Sequence, residues 1–237
     1  MLLIQMVVAH LFGDYILQWD KLAAWKAREL RGVLAHGMIV AGVTLVFSYP
    51  YDMDWLPWAL VIGLSHILVD ATGYYLTHSD WVKARVRPFT LYVGDQIVHF
   101  TIIWLVLFLS GNLPTFTMIG ELLRDNKWWA IVLAYTFIAM PSWVLIEFFV
   151  SGFVRNSAPD FQRAQQDKYT MIVERWVIAT LVVIGQVPLI LIAAIPTVTR
   201  RWRDWRSEQA NSHVAEFLVS LMLAVMAGIF LAQIFVT

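Results

Sequence analysis

The chain has 237 residues, of which 59% are hydrophobic and 14% are charged, and its mean hydropathy is +0.66. Ordinary soluble domains are about 45–50% apolar and about 25% charged, so this composition excludes a soluble globular enzyme and is typical of a multi-pass membrane protein. Lys plus Arg and Asp plus Glu number 17 each and cysteine is absent, which argues against a nucleic-acid partner and excludes disulfide bonds and thiolate metal ligands.

Seven segments are long and apolar enough to span a bilayer as helices, for which about 20 residues are needed. In chain order they are 1–19, 32–49, 55–77, 90–110, 128–150, 171–195 and 214–236. We therefore predict an all-α polytopic membrane bundle of about seven transmembrane helices. We divide it into a four-helix bundle over 1–110 and a three-helix membrane subdomain over 111–237. The second part carries a basic connection at 196–213, and helices 5–7 offer a surface for oligomer formation.

The distribution of Lys and Arg between the predicted helices predicts their orientation. The connections at 20–31 and 78–89 are basic, whereas the connection at 50–54 carries no Lys or Arg. This places the N-terminus outside a bacterial plasma membrane and the two basic connections in the cytoplasm. The connection at 196–213 is also basic, which conflicts with strict alternation, so we predict orientation only for the first four helices.

Seven ionisable side chains lie within the first four predicted helices, where each costs at least about 2.5–3.5 kcal/mol at the bilayer centre. They are His10, Asp14, His36, His66, Asp70, Asp95 and His99. Six of them form three pairs at i,i+4 spacing, which places both members of a pair on one helix face about 5–6 Å apart. His and Asp together are the ligands of Zn, Mn and non-haem Fe sites, so we predict that these residues bind a metal ion.

The order of His and Asp within each pair follows the predicted direction of its helix. Helices 1 and 3 run inward and read His-x-x-x-Asp, whereas helix 4 runs outward and reads Asp-x-x-x-His. Each pair therefore has its Asp nearer the cytoplasm and its His deeper in the membrane. We expect the seven groups to form two adjacent layers near the cytoplasmic face.

Three carboxylates that meet in a low dielectric repel one another unless a cation is present. Seven candidate ligands exceed the four of a structural zinc site, which favours one or two divalent ions, Zn or alternatively Mn or Fe. Two other interpretations of the same pairs remain, as hydrogen-bonded contacts between helices or as a proton relay.

Other polar residues are weaker candidates. Gln18 is one turn beyond Asp14 and Gln96 follows Asp95, so either amide is a candidate to orient a ligand or substrate. Four charged residues of the later helices are interpreted as interhelical ion pairs. These are Glu147, Glu174, Arg175 and Glu216.

The motifs "HLFGDYILQ", "SHILVD" and "GDQIVH", together with His36, resemble a bacterial membrane family known as domain of unknown function 3307. The resemblance covers about residues 1–110, with a looser match around "VERWVI" and "AEFLVSLMLAVMAG". It implies a multi-pass membrane protein and brings no activity with it. The pattern is also reminiscent, in site chemistry alone, of membrane-bound hydrolases that use His and Asp from several helices.

The function that we favour is metal-dependent hydrolysis of a lipid or amphipathic substrate, such as a phosphate or other ester. In this interpretation all seven residues are metal ligands, with His36 alternatively a general acid, and Gln18 and Gln96 assist. The first alternative is an ion- or proton-translocating protein that uses the same residues. A haem site with two deep histidines, such as His10 and His99, is the second alternative, and the three aspartates argue against it.

Overall fold

A computed structural model of the chain describes residues 1–49, 53–202, 204–206 and 210–236. Every regular element in these ranges is helical, which confirms the predicted all-α class. The chain divides into two compact units, Met1–Trp129 and Ala130–Thr237. The boundary predicted after residue 110 falls within the first of these units.

The first unit is built from three long apolar helices and several shorter ones. Its helices are α1 (Leu2–Leu11), a π-helix (Phe12–Ile16), α2 (Asp20–Lys26), α3 (Leu30–Ser48), α4 (Leu56–His78), α5 (Asp80–Lys83), α6 (Pro88–Leu109) and α7 (Phe116–Asp125). In lipid every backbone N–H and C=O must be bonded internally, so long apolar sequences adopt helices. Helices α3, α4 and α6 accordingly lie close to the predicted segments 32–49, 55–77 and 90–110.

The first predicted span, 1–19, is not one straight helix. After α1 the chain continues as the π-helix, in which Leu17 N donates to Phe12 O at 2.9 Å, and α2 then departs at 90°. Residues 17–19 form the bend, and Trp19 has an extended backbone at the start of α2. The bend brings the C-terminal end of α2 back towards the first unit's helices.

Small residues allow α3 and α4 to pack closely. A Cβ atom added at Gly63 would lie 2.6 Å from Ala41 Cβ and 2.9 Å from Ala41 Cα, and one added at Gly37 would collide with Ile67 Cγ1. Close approach of backbones at small residues is a common way for membrane helices to associate. It brings the polar faces of these two helices within contact distance.

An apolar cluster fills the unit at the N-terminal end of α1. It consists of Leu2, Met6, Trp55, Ala59, Ile62, Ile103, Val106 and Leu107. Two polar residues near this cluster bond to their own helix, since Thr44 Oγ1 donates to Val40 O and Ser48 Oγ donates to Thr44 O. This end of the unit is therefore mainly apolar, and buried Gln5 on α1 is an exception, since its Oε1 has no hydrogen-bond partner among the described residues.

The later part of the chain contains five longer helices and four shorter elements, two of which are the 3-10 helices Gln165–Asp167 and Asp204–Arg206. The other elements follow in chain order. They are α8 (Lys127–Phe137), α9 (Met140–Val150), a second π-helix (Ser151–Arg155), α10 (Phe161–Ala164), α11 (Lys168–Val183), α12 (Leu189–Arg201) and α13 (Ala210–Val236). Helices α11 and α13 pack closely, because a Cβ atom at Gly228 would lie 2.8 Å from Ala179 O. Arg203 and residues 207–209 of the predicted basic connection lie outside the described residues.

Five helical segments of the described chain are long and apolar enough to cross a membrane, or six if α1 and α2 count as one bent span. The predicted count of seven is not confirmed. The segment predicted at 171–195 is divided between α11 and α12, because Gly185 has a positive φ of 72° and Pro188 follows it. A left-handed glycine ends a helix, and proline cannot continue one.

A candidate metal centre

The seven predicted residues come from five helical elements of the first unit. His10 lies on α1, Asp14 on the π-helix, His36 on α3, His66 and Asp70 on α4, and Asp95 and His99 on α6. The structure brings all seven together, and six of them are buried, with Asp95 partly exposed. Packing of α1, α3, α4 and α6 brings together residues that lie up to 89 positions apart in the sequence. The i,i+4 spacing by itself predicts contacts only within each helix.

Three histidines form one side of the cluster. The ring centroids of His66 and His99 are 4.2 Å apart. The ring centroid of His10 lies 5.1 Å from that of His99 and 5.5 Å from that of His66. One nitrogen from each ring lies within 4.8 Å of the other two, which is close enough for all three to bind one ion. A set of three histidines with a remaining open position is a known arrangement in catalytic zinc sites.

The carboxylates Asp14 and Asp70 meet at His36. His36 Nε2 lies 2.9 Å from Asp14 Oδ1 and 3.5 Å from Asp70 Oδ2, and also 3.3 Å from His66 Nε2. His36 is fully buried. It thus connects the histidine side of the cluster to the carboxylate side.

The three i,i+4 pairs are in contact, though not equally. Nε2 to carboxylate distances are 3.3 Å for His66 and Asp70, 3.6 Å for His99 and Asp95, and 4.0 Å for His10 and Asp14. The last pair spans the junction of α1 and the π-helix, where the extra residue per turn rotates Asp14 relative to a regular helix. Single-turn π-helices of this kind occur frequently at functional sites.

Gln96 links three members of the cluster. Its Nε2 donates to Asp14 Oδ2 and Asp95 Oδ2, both at 3.1 Å, and its Oε1 lies 3.3 Å from His10 Nε2. Gln96, predicted as a candidate to orient a ligand or substrate, thus contacts Asp14, Asp95 and His10. Gln18 differs, because it lies in the bend before α2 and its buried Oε1 accepts no hydrogen bond from a described residue.

Lys26 belongs to the cluster as well, and sequence reasoning missed it. Its Nζ lies 2.8 Å from Asp70 Oδ2 and 3.8 Å from Asp14 Oδ1. In the sequence this lysine is only one of several positive charges in the connection at 20–31. The signal that could have indicated it was the unbalanced negative charge of three carboxylates in an apolar bundle.

His99 carries a buried nitrogen without a hydrogen-bond partner. Its Nε2 lies 3.6 Å from both Asp70 Oδ1 and Asp95 Oδ2, too far for a normal hydrogen bond, and it bonds to no other described residue. Leaving a buried polar atom unbonded costs about 1–3 kcal/mol, so such an atom needs an explanation. A nitrogen lone pair beside two carboxylates fits the ligand set of a divalent ion.

Two tyrosines close one side of the centre. The hydroxyls of Tyr15 and Tyr92 are 2.8 Å apart and join the π-helix to α6. This bond fixes the turn that carries Asp14 against the helix that carries Asp95 and His99.

The charged residues of the second unit form separate contacts. Buried Glu147 accepts hydrogen bonds from the Arg155 side chain and from the Asp160 backbone N–H, the latter at 2.6 Å. Glu216 Oε2 lies 3.7 Å from His213 Nδ1. These two contacts are not the predicted interhelical ion pairs, because His213 and Glu216 both lie on α13 and Arg155 lies in the π-helix that continues α9.

Arg175 is fully buried, and it bonds to backbone carbonyls at the break between α8 and α9. Its Nε donates to Ile138 O at 2.6 Å and its Nη2 to Ala139 O at 2.9 Å. Pro141 follows this break, and proline removes a helical hydrogen bond and crowds the preceding turn. The guanidinium thus donates to two carbonyls at the break, and Ala139 O also accepts from Ser142 Oγ at 3.1 Å and from Trp143 N at 3.4 Å.

The fold and the centre define an all-helical protein, compatible with multiple membrane spans, whose first unit encloses a buried His/Asp cluster. The chain belongs to the family described as protein of unknown function DUF3307, whose model matches residues 2–122. This confirms the family that the sequence motifs indicated, and the match includes Lys26, Gln96 and all seven cluster residues. No curated protein and no solved structure matches the chain.

Proposed function

We propose that the protein is a metal-dependent hydrolase of the bacterial plasma membrane that acts on a lipid or amphipathic ester, such as a phosphate ester. The observation that carries the proposal is the buried, unbonded His99 Nε2, which faces two carboxylates beside His10 and His66. A divalent ion is the group that would satisfy these donors together. Zn fits the histidines best, and Mn or Fe also accepts this mixed ligand set.

The candidate ligands are the three histidines His10, His66 and His99 with the carboxylates Asp70 and Asp95. A bound ion of this kind lowers the pKa of its water to about 7 and polarises an ester oxygen. Gln96 holds the Asp95 carboxylate in place through its 3.1 Å hydrogen bond. Groups that orient ligands in this way support affinity nearly as strongly as the ligands themselves.

His36 and Asp14 are the candidate proton-transfer pair. Asp14 Oδ1 lies 2.9 Å from His36 Nε2 and so fixes the orientation of the ring. A carboxylate that binds a metal is a poor base. A His–Asp pair beside the ligands is therefore better suited to hold a proton and transfer it to the leaving group. This assigns His36 the acid role and the other histidines the ligand role.

The surroundings of the centre favour a substrate that arrives through lipid. Leu68 on α4 and Ile97 on α6 lie one turn or less from the cluster residues of their helices, and both are exposed. Asp95 and Lys26 are the partly exposed members of the site. An amphipathic ester could place its chain on the apolar helix faces and its polar group at this edge.

The alternative of an ion or proton pathway predicts polar groups that continue from the cluster to the far side of the bundle. Beyond the histidines, most of the described residues belong to the apolar cluster around Met6, Ile62 and Leu107. The buried polar residues there do not form a chain of hydrogen bonds to the cluster, since Thr44 and Ser48 bond to their own helix and Gln5 Oε1 has no partner. This arrangement favours an enclosed site over a pathway. The orientation with the N-terminus outside remains part of the proposal and rests on the basic connections 20–31 and 78–89.

The test is elemental analysis of the full-length protein purified in detergent, beside the double variant His66→Ala/Asp70→Ala. We expect bound Zn, Mn or Fe in the parent and its loss in the variant, followed by hydrolysis of phospholipid or polyprenyl phosphate analogues by the parent alone. A parent that binds no metal after equilibration with each ion would overturn the proposal.

A further inference from the structure

The ammonium group of Lys26 lies beside Asp14 and Asp70, at a position that suits a second cation. This group contacts Asp14 Oδ1 and Asp70 Oδ2, and these same oxygens lie 2.9 Å and 3.5 Å from His36 Nε2. Asp14, His36 and His66 offer ligand atoms within 4.8 Å of one another, so this side of the cluster resembles a metal site in its own right. The lysine already supplies positive charge there.

His99 Nε2, a buried nitrogen without a hydrogen-bond partner, lies on the other side of the cluster, and His36 Nδ1 is a second such nitrogen. His99 Nε2 faces Asp70 Oδ1 and Asp95 Oδ2, each at 3.6 Å, and belongs to both candidate ligand groups that lack Asp14. Asp70 therefore bridges the two sides, with one oxygen directed to Lys26 and the other to His99. In a two-metal centre a carboxylate often bridges two ions in this manner, whereas here an ammonium group occupies one position.

Charge balance agrees with this division. The three carboxylates and Lys26 together leave two negative charges, which one divalent ion neutralises when the histidines are neutral. A second divalent ion would leave two uncompensated positive charges in a buried site, which is costly in a low dielectric. The positive charge of Lys26 thus takes the place of a second ion in balancing the carboxylates.

The position of Lys26 is built into the fold. Gly32 allows the end of α2 to approach α3, because a Cβ at Gly32 would lie 2.5 Å from Lys26 N and 2.6 Å from Trp25 O. The following turn is attached to α4, since the Tyr74 hydroxyl donates to Arg28 O at 3.2 Å. The backbone that carries Lys26 is therefore held beside the site from two helices.

We propose that Lys26 occupies the second cation position of the centre, so that the site takes a single divalent ion, held on the His99 side. This inference rests on the proposed metal site. It makes Lys26 a residue that determines metal stoichiometry, and it predicts that removal of its charge opens the Asp14 side to a second ion.

The experiment is a Zn²⁺ titration of the full chain in detergent, with bound metal measured by elemental analysis after removal of free ion. We expect one equivalent in the parent and two in Lys26→Met, which keeps an unbranched side chain one atom shorter and removes the charge. Lys26→Arg should hold one equivalent. The matched control is Lys21→Met, which removes an exposed lysine from the same helix and should also leave one equivalent.

A second variant tests the same inference with the lysine present. Gly32→Ala should push the end of α2 away from α3, withdraw Lys26 from Asp70 and raise the bound metal above one equivalent. One equivalent in the parent, in Lys26→Met and in Gly32→Ala would overturn this inference and leave the proposed function standing. Two equivalents in the parent would also overturn it, and a parent without metal would overturn both.

Discussion

The imidazole rings of His66 and His99 stack with their centroids 4.2 Å apart and their planes inclined by 25°. They belong to different helices, α4 and α6, yet their Nε2 atoms approach opposite oxygens of the same carboxylate. His66 Nε2 lies 3.3 Å from Asp70 Oδ2, and His99 Nε2 lies 3.6 Å from Asp70 Oδ1. The carboxylate of Asp70 thus lies against both stacked rings and links α4 to α6.

The first prediction concerns these two histidines. His99→Ala or His66→Ala should lower metal affinity at least about 100-fold, because loss of a ligand costs no less than loss of a group that orients one. Elemental analysis and competition with a chelating dye would measure the change. His78→Ala is the control, since His78 lies at the end of α4 and bonds to Tyr74 O. Equal metal content in all three variants would contradict the assignment.

Metal removal should destabilise the first unit. Without an ion the carboxylates of Asp14, Asp70 and Asp95 are balanced only in part by Lys26, whereas an ion at 100 times its Kd stabilises a fold by about 2.7 kcal/mol. Chelation should therefore lower the thermal unfolding temperature of the parent in detergent, and added Zn²⁺ should restore it. The double variant His66→Ala/Asp70→Ala should not respond to either treatment, and a response equal to the parent's would refute the prediction.

The two glutamines of the sequence analysis should behave differently. Gln96→Ala removes the bonds to Asp14, Asp95 and His10, and we expect metal affinity to fall about 10- to 100-fold while the fold is retained. Gln18→Ala is a matched control, because the Gln18 oxygen bonds to no described residue, and it should leave affinity unchanged. Calorimetric titration with Zn²⁺ would measure both, and an equal loss in the two variants would show that Gln18 also acts on the site.

Close packing of α3 and α4 can be tested with two glycines. Gly63→Ala should destabilise the protein by roughly 1–3 kcal/mol, because its new Cβ would overlap Ala41. Gly42→Ala has open space around the added atom and should be neutral or stabilise the helix by up to about 1 kcal/mol. Unfolding in mixed detergent would compare them, and a similar shift for both would mean that the contact at Gly63 does not limit the packing.

Arg175 provides a prediction for the second unit. Arg175→Met should cost about 2–5 kcal/mol, because it leaves the carbonyls of Ile138 and Ala139 without their charged donor. Arg175→Lys should recover only part of this, since an ammonium group lacks the planar fork that reaches two carbonyls. Unfolding of the variants in detergent would measure the loss. Full stability in Arg175→Lys would show that the break requires a positive charge and not the hydrogen-bonding geometry of a guanidinium group.

Much of the first unit follows from sequence alone, because long apolar runs bounded by polar connections define α3, α4 and α6. The site residues could be found for a related reason, since an ionisable group in such a run has to be explained. The interruptions were harder to predict. The apolar run at 171–195 does not reveal that Gly185 adopts a positive φ, and a π-helix has no pattern that distinguishes it from a regular helix.

The position of Lys26 in the cluster could not be predicted from the sequence, because it depends on three features of the folded chain. A 90° bend, the missing side chain of Gly32 and the bond from Tyr74 together carry it from a connection into the cluster. None of these is visible in hydropathy or in residue spacing. The sequence rules for charge treat every lysine of a connection alike, so they counted Lys26 as a marker of orientation.

The π-helix before α2 makes the site sensitive to chain length. Since a π turn contains one residue more than an α turn, deletion of a single residue between Leu11 and Leu17 would allow α1 to continue as a regular helix. His10 and Asp14 share one face at i,i+4 or i,i+3 spacing in a regular helix, so such a deletion would keep them on one side of α1 but would change the direction of Asp14 relative to His36 and Lys26. The position of Asp14 against its partners on α2 and α3 thus depends on the number of residues in the first helix as well as on their identity.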